Sequence, residues 1–346
     1  MAYELYFRAR QHAGMDEARF LYYFHHRPHY RVQDGQAWYI NEATGVDFCF
    51  TLTPLPDALV PHGNHYPVVL HISYLRPDYL IQEAEPEVTA FVRYFDLQVA
   101  DPQAGGMGEG EYDPIALVNG WNVGNELAHV AMQQGGGDTP CHLPSLLLRR
   151  IWRWNYRRAE RQARLASTVL VPQIRLLQRN GEVLSIAEWP DGCAAIIPPV
   201  DWLLIPRQQL APRRWWHKVP DCTLVEWKRM APLLQLHGIY EADGGISLSY
   251  CQPPRSISRM IRRLKPCALE GRWLKPGEVL TRELVLAAPV THGDEVVARS
   301  VSFPNKIKKS AKSIIYNSLK ILTIFYLIDF VENILRGILI ADRVPC

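Results

Sequence analysis

The chain has 346 residues, 48% of them hydrophobic and 21% charged, with 10 Trp and 16 Tyr. That much ring surface excludes a disordered polymer, and the length allows two or three domains, each with its own core. The formal charge of +3 resides in residues 301–346, with seven basic and three acidic groups; residues 1–300 hold 31 basic and 32 acidic groups, which excludes general attraction to nucleic acid or anionic lipid.

Residues 3–10 alternate as a strand does. Asp16 is placed to cap a helix over Glu17–Arg27, which Pro28 stops. Strands are predicted at His29–Gln33 and from Ala37 on to Leu52, with Asp34-Gly35 as a hairpin turn. A Pro-, His- and Gly-rich loop follows over 54–67, then an apolar strand, Val68–Tyr74. Leu80, Ala84, Val88, Phe91, Val92 and Phe95 give Tyr79–Phe95 helical spacing, and Leu97–Ala100 reads as a closing strand. The order predicts an α+β fold that begins with a ferredoxin-like βαββαβ unit over 1–105, one sheet with helices on one face.

Asp101–Tyr112, with four glycines, reads as a surface loop. A helical segment is expected over 106–168, with helices at Pro114–Gln134 and Pro144–Ala166. Residues 169–300 read as β-rich. Strands Val169–Gln178 and Val183–Trp189 flank the turn Arg179-Asn180-Gly181, another strand covers Ile196–Ile205, and the stretch after Cys222 carries no clear order. Residues 301–346 differ in composition: five Lys and two Arg, against 27 Arg and four Lys before them. Ile321, Ile324, Phe325, Ile328, Val331, Leu335 and Ile338 form one stripe, so the tail is expected to be an amphipathic helix docked on the body. Its longest uncharged run, Ile321–Ile328, is short of a membrane span of about 20 residues, so no stable membrane insertion is expected.

Motifs for chemistry are sparse. The seven cysteines form no CxxC pair, and the first residues, Met1–His12, hold no apolar signal segment, so a reducing cytoplasm is expected. His25, His26 and His29 straddle a proline stop, and His62 and His65 lack a helical HExxH setting; no metal is expected. The loop from Gly105 has the glycines of a phosphate cradle without its Lys, and it carries acids that repel phosphate; no cofactor is expected. Arg149, Arg153, Arg157, Arg161 and Arg164 make a basic stripe beside Trp152 and Trp154, which reads as core rings covered by arginine stems rather than a nucleic-acid site. No Ser stands in GxSxG, and no spacing isolates an acid/base pair, so a binding protein is expected rather than an enzyme.

Several phrases carry a resemblance: Tyr3-Glu-Leu-Tyr-Phe, Tyr74-Leu-Arg-Pro with Glu83-Ala-Glu-Pro-Glu-Val, Asp101-Pro-Gln, Trp121-Asn122 with Asn125, and Trp152-Arg-Trp-Asn-Tyr. Val171-Pro-Gln and Pro198-Pro-Val-Asp extend it. In these the chain resembles immunity proteins encoded beside Rhs-type polymorphic toxins, commonly delivered by type VI secretion, some of them ADP-ribosyltransferases. The resemblance implies a cytoplasmic protein that occludes a cognate protein toxin. Such toxins are usually basic at the site, which nominates Glu109, Glu111 and Asp113 as partner-binding residues. Trp152, Trp154, Asn155 and Tyr156 are expected to be structural. Two other readings stand beside this one: a hydrolase reversing a toxin's modification, and a membrane-peripheral interaction protein using the tail.

Overall fold

The computed structural model describes residues 1–281 apart from 11–14, 54–65, 104, 135–140, 212, 215–216, 219 and 268. The tail helix expected over 301–346 and the histidines at 62 and 65 lie outside the described residues.

The first elements are β1 (Ala2–Ala9), α1 (Glu17–His25), β2 (Tyr30–Gln33), β3 (Gln36–Asn41), β4 (Val46–Leu52), β5 (Val68–Ser73), α2 (Leu80–Phe95), β6 (Leu97–Asp101) and β7 (Gly108–Gly110). They build one seven-stranded sheet in the order β2-β3-β4-β5-β1-β6-β7, with antiparallel neighbours throughout. Alternation in β1 buries Tyr3, Leu5 and Phe7, and the partly exposed Glu4, Tyr6 and Arg8 take the other face. Asp16 caps α1 by accepting from Arg19 N–H at 2.7 Å. Asp34 and Gly35 take φ of 49° and 73°, the paired positive angles that a two-residue hairpin needs. Both helices lie on the same face of the sheet: Phe20 and Phe24 of α1 and Phe91 of α2 cluster with Phe7 and Phe50 of the strands.

The observed sheet has seven strands, against the five placed from the sequence before residue 105. The run from Ala37 to Leu52 is two strands, because the chain reverses at Thr44-Gly45, where Gly45 has φ 71° and both N–H groups return to Asn41 C=O. Gly108–Gly110, expected within a loop, is the seventh strand.

Next come α3 (Pro114–Gln134), β8 (Cys141–Leu143) and α4 (Ser145–Ala163). The rest comprises β9 (Ile174–Arg179), β10 (Glu182–Glu188), β11 (Ala195–Ile197), β12 (Trp202–Arg207), β13 (Arg213–Arg214), β14 (His217–Lys218), β15 (Asp221–Glu226), α5 (Trp227–Gln235), β16 (Ile239–Tyr240), β17 (Ile246–Leu248), α6 (Arg255–Arg263), β18 (Arg272–Leu274) and β19 (Val279–Thr281). A five-stranded sheet runs β15-β12-β10-β9-β18, and a three-stranded one β11-β17-β16. The strand expected over Ile196–Ile205 is divided between these two sheets, because Pro198 and Pro199 lack ladder donors. β19 pairs in parallel with β8.

The architecture is mixed α+β. One continuous buried cluster runs from Tyr3 to Val279, so the N-terminal sheet, α3, α4 and the later sheets share a core. Among the described residues, no helix is long and apolar enough to cross a membrane.

Candidate partner-binding edge

The nominated acids stand where β6, β7 and α3 meet. At the end of β6 the Asp101 carboxylate is buried, accepting from Tyr3 OH and from the N–H groups of Gln103 (3.1 Å) and Met107 (3.0 Å). The chain after β6 therefore folds round a satisfied carboxylate. Gly106 passes so close that a Cβ there would lie 2.2 Å from Asp101 Oδ2, so only glycine fits. Burial and the hydrogen bond to Asp101 push the Tyr3 hydroxyl far above the usual tyrosine range, and burial with the nearby Asp101 carboxylate raises Tyr74 to about 12. Both hydroxyls keep their protons.

This closure registers β7 on β6, with Glu109 opposite Ala100. Glu109 pairs with Arg8 Nη2 at 3.0 Å and accepts from Tyr66 OH at 2.8 Å, and Arg8 stacks over the Tyr66 ring. Glu111 pairs with Arg10, whose Nε also meets Asp96 at 3.1 Å. Asp113 Oδ1 accepts from Ile115 N–H at 2.8 Å and caps α3. The three nominees are thus a glutamate on the edge strand, Glu109, one just beyond it, Glu111, 60% and 69% exposed, and one helix cap. They are held in place rather than carried on an open loop. With Asp96 the edge has four carboxylates against Arg8 and Arg10, a local charge of −2. β7 is the last strand of its sheet, so its outer backbone groups face no strand among the described residues.

The residues expected to be structural form joints. Trp152 Nε1 donates to Glu83 Oε2 at 2.6 Å, and its ring stacks on Tyr79 at 5.9 Å. Glu83 is buried and also accepts from Tyr39 OH (2.8 Å), Asn41 Nδ2 (2.7 Å) and Thr44 Oγ1 (3.1 Å). One carboxylate with four donors ties α2 to the sheet and to α4. Trp154 is buried, donating to Pro172 C=O at 2.8 Å beneath Arg161. Asn155 brackets Ile174, bonding its N–H and its C=O, both at 2.9 Å, as a strand neighbour would. Tyr156 is 47% exposed at the rim of this cluster. Of the arginine stripe, Arg149 pairs with Asp78, Arg161 with Asp243 and Arg164 with Glu160.

Glu83 and Asp101 receive no role of their own from the sequence beyond their place in the resembling phrases, and His129 is not singled out. Glu83 lies on the margin of the Leu80–Ala84–Val88–Phe91 stripe, and that phase is the signal that could have placed it inside. His129 is fully buried on α3, its two ring nitrogens meet no hydrogen-bond partner among the described residues, and its ring lies 5.4 Å from that of His142. Burial and His142 lower its pKa below the ordinary 6.5. Among the described residues, His, Cys, Asp and Glu nowhere gather in a group of three or more that could hold a metal. No protein-family model matches the chain, and no curated protein or solved structure matches it either.

Proposed function

We propose that this protein is a cytoplasmic immunity protein that occludes a protein toxin stoichiometrically and turns over no substrate. The reading is supported above all by how the resembling phrases meet. Tyr3 bonds Asp101, Asn125 accepts from the N–H groups of Leu75 and Arg76, Glu83 receives Trp152, and Trp154 and Asn155 hold Pro172 and Ile174. These residues are joints of one scaffold, which leaves recognition of a variable partner to surface positions. The β7 edge suits that task, because its acids are exposed yet pre-oriented by Arg8 and Arg10, which lowers the ordering cost of binding. A basic cleft would add its charge to a site already at −2.

An inhibitor of this type buries about 1,200–2,000 Å² in total. The test is co-expression with the toxin encoded by the adjacent reading frame. The wild type rescues growth and co-purifies with the toxin in fixed ratio, and Glu109→Lys/Glu111→Lys/Asp113→Lys weakens both. Rescue at strongly substoichiometric levels, with turnover of a modified target, would show an enzyme. Unchanged affinity in the triple variant would place the contact elsewhere.

A further inference from the structure

α6 turns Ile257 and Ile261 into the core and leaves Arg255, Arg259, Arg262 and Arg263 exposed on its outer face. At a rise of about 1.5 Å per residue the four guanidinium stems start within about 12 Å of helix. Residues 244–269 contain no Asp or Glu to balance them. Several arginines elsewhere are matched, Arg8 with Glu109, Arg27 with Glu87, Arg76 with Asp47 and Arg207 with Asp221, while Arg150, Arg153 and Arg157 of α4 also lack an ion pair among the described residues. None of the four on α6 has an ion pair or hydrogen bond among the described residues. A second observation concerns apolar surface. Leu236 and Ile239 are each 77% exposed and Tyr240 59%, just beyond the end of α5. His237, between them, meets Ser256 Oγ in the first turn of α6 at 2.6 Å, so this apolar group borders the arginine face.

We propose that the α5–α6 surface is a docking site for an acidic protein segment that carries apolar side chains, separate from the β7 edge and opposite to it in charge. Guanidinium forks match carboxylates two bonds at a time, and Arg and Tyr are the side chains that most often anchor protein contacts. A phosphate backbone would match the arginines but offers nothing apolar to Leu236 and Ile239. A membrane would need apolar side chains on the outer face of α6, and that face is Arg and Ser. A protein segment satisfies both halves of the surface.

The test uses the full chain and a fluorescent helical peptide with Glu and Leu on one face, followed by anisotropy. The peptide binds, more weakly as salt rises. Arg255→Glu/Arg259→Glu/Arg262→Glu/Arg263→Glu weakens it by about tenfold or more, and the corresponding Gln variant by less. Leu236→Ser/Tyr240→Ser weakens it several-fold, and all these variants keep the wild-type melting curve because the changed side chains are exposed. Replacing Glu109, Glu111 and Asp113 by Lys leaves peptide affinity unchanged. No binding of the peptide, unchanged affinity in the Glu variant, or tighter binding of duplex DNA or phosphatidylserine vesicles overturns the proposal. Peptide binding without toxin rescue would sink the immunity reading alone.

Discussion

In the seven-stranded sheet, β2 to β5 follow one another across the sheet in chain order, and the core beneath is aromatic. In the five-stranded sheet, β18 reaches β9 across 94 residues, between Gln178 and Arg272. There the long connections are fixed by polar joints. Arg207 is fully buried, bidentate to Asp221, and donates to the carbonyls of Ile261 and Leu264. Asp191 accepts from the backbone N–H groups of Gln208, Gln209 and Leu210, and Thr223 donates to Lys265 C=O. The contrast teaches that neighbouring strands are fixed by side-chain alternation and turn chemistry, whereas distant segments need specific polar partners to find one register.

Four measurements bear on that contrast. Phe91→Ala removes the ring at the centre of the aromatic cluster and costs about 4 kcal/mol in urea unfolding. A cost under about 1 kcal/mol would mean that the cluster collapses without it. Arg207→Met leaves Asp221 without its partner and two carbonyls unmet, at a cost of about 3 kcal/mol. Adding Asp221→Leu recovers part of that loss, and if the double variant is no better than the single one, the joint is not a coupled pair.

A smaller effect is set by His129. Its folded pKa is lowered, so the unfolded chain takes the proton first as pH falls below 6.5. Its contribution to stability is present above 6.5 and is lost as pH drops through the lowered folded value. The loss of stability between pH 7 and pH 5 is therefore smaller in His129→Phe than in the wild type. Identical pH dependence in the two proteins would count against a buried, neutral His129. The smallest effect belongs to Glu111→Gln, which leaves the melting temperature unchanged, because exposed ion pairs such as Arg10–Glu111 contribute little to folding. A clear drop would make the β7 edge part of what stabilises the sheet.

The sequence by itself determined the helices and most strands of the first half. Phe20 and Phe24, the Leu80–Phe95 stripe and the Tyr3–Phe7 alternation carry their periods locally, and Asp34-Gly35 and Asn180-Gly181 carry positive-φ turn chemistry. It also read Trp152 and Trp154 as core rings, of which Trp154 is buried and Trp152 half-buried, and Asn155 as structural. Only the tertiary structure decided which carboxylates go inside. Glu83 is buried because donors 39 to 69 positions away converge on it, and Asp101 because Tyr3, 98 positions away, joins the nearby N–H groups of Gln103 and Met107; no local pattern encodes such long-range convergence. The same holds for Glu109 and Glu111: their acidity is written in the chain, but β1 brings the arginines that orient them. Past Cys222 the strands are two to six residues long, and β17, β18 and β19 pair with distant partners. So short a strand shows too little alternation to declare its face, and its partner supplies the register instead.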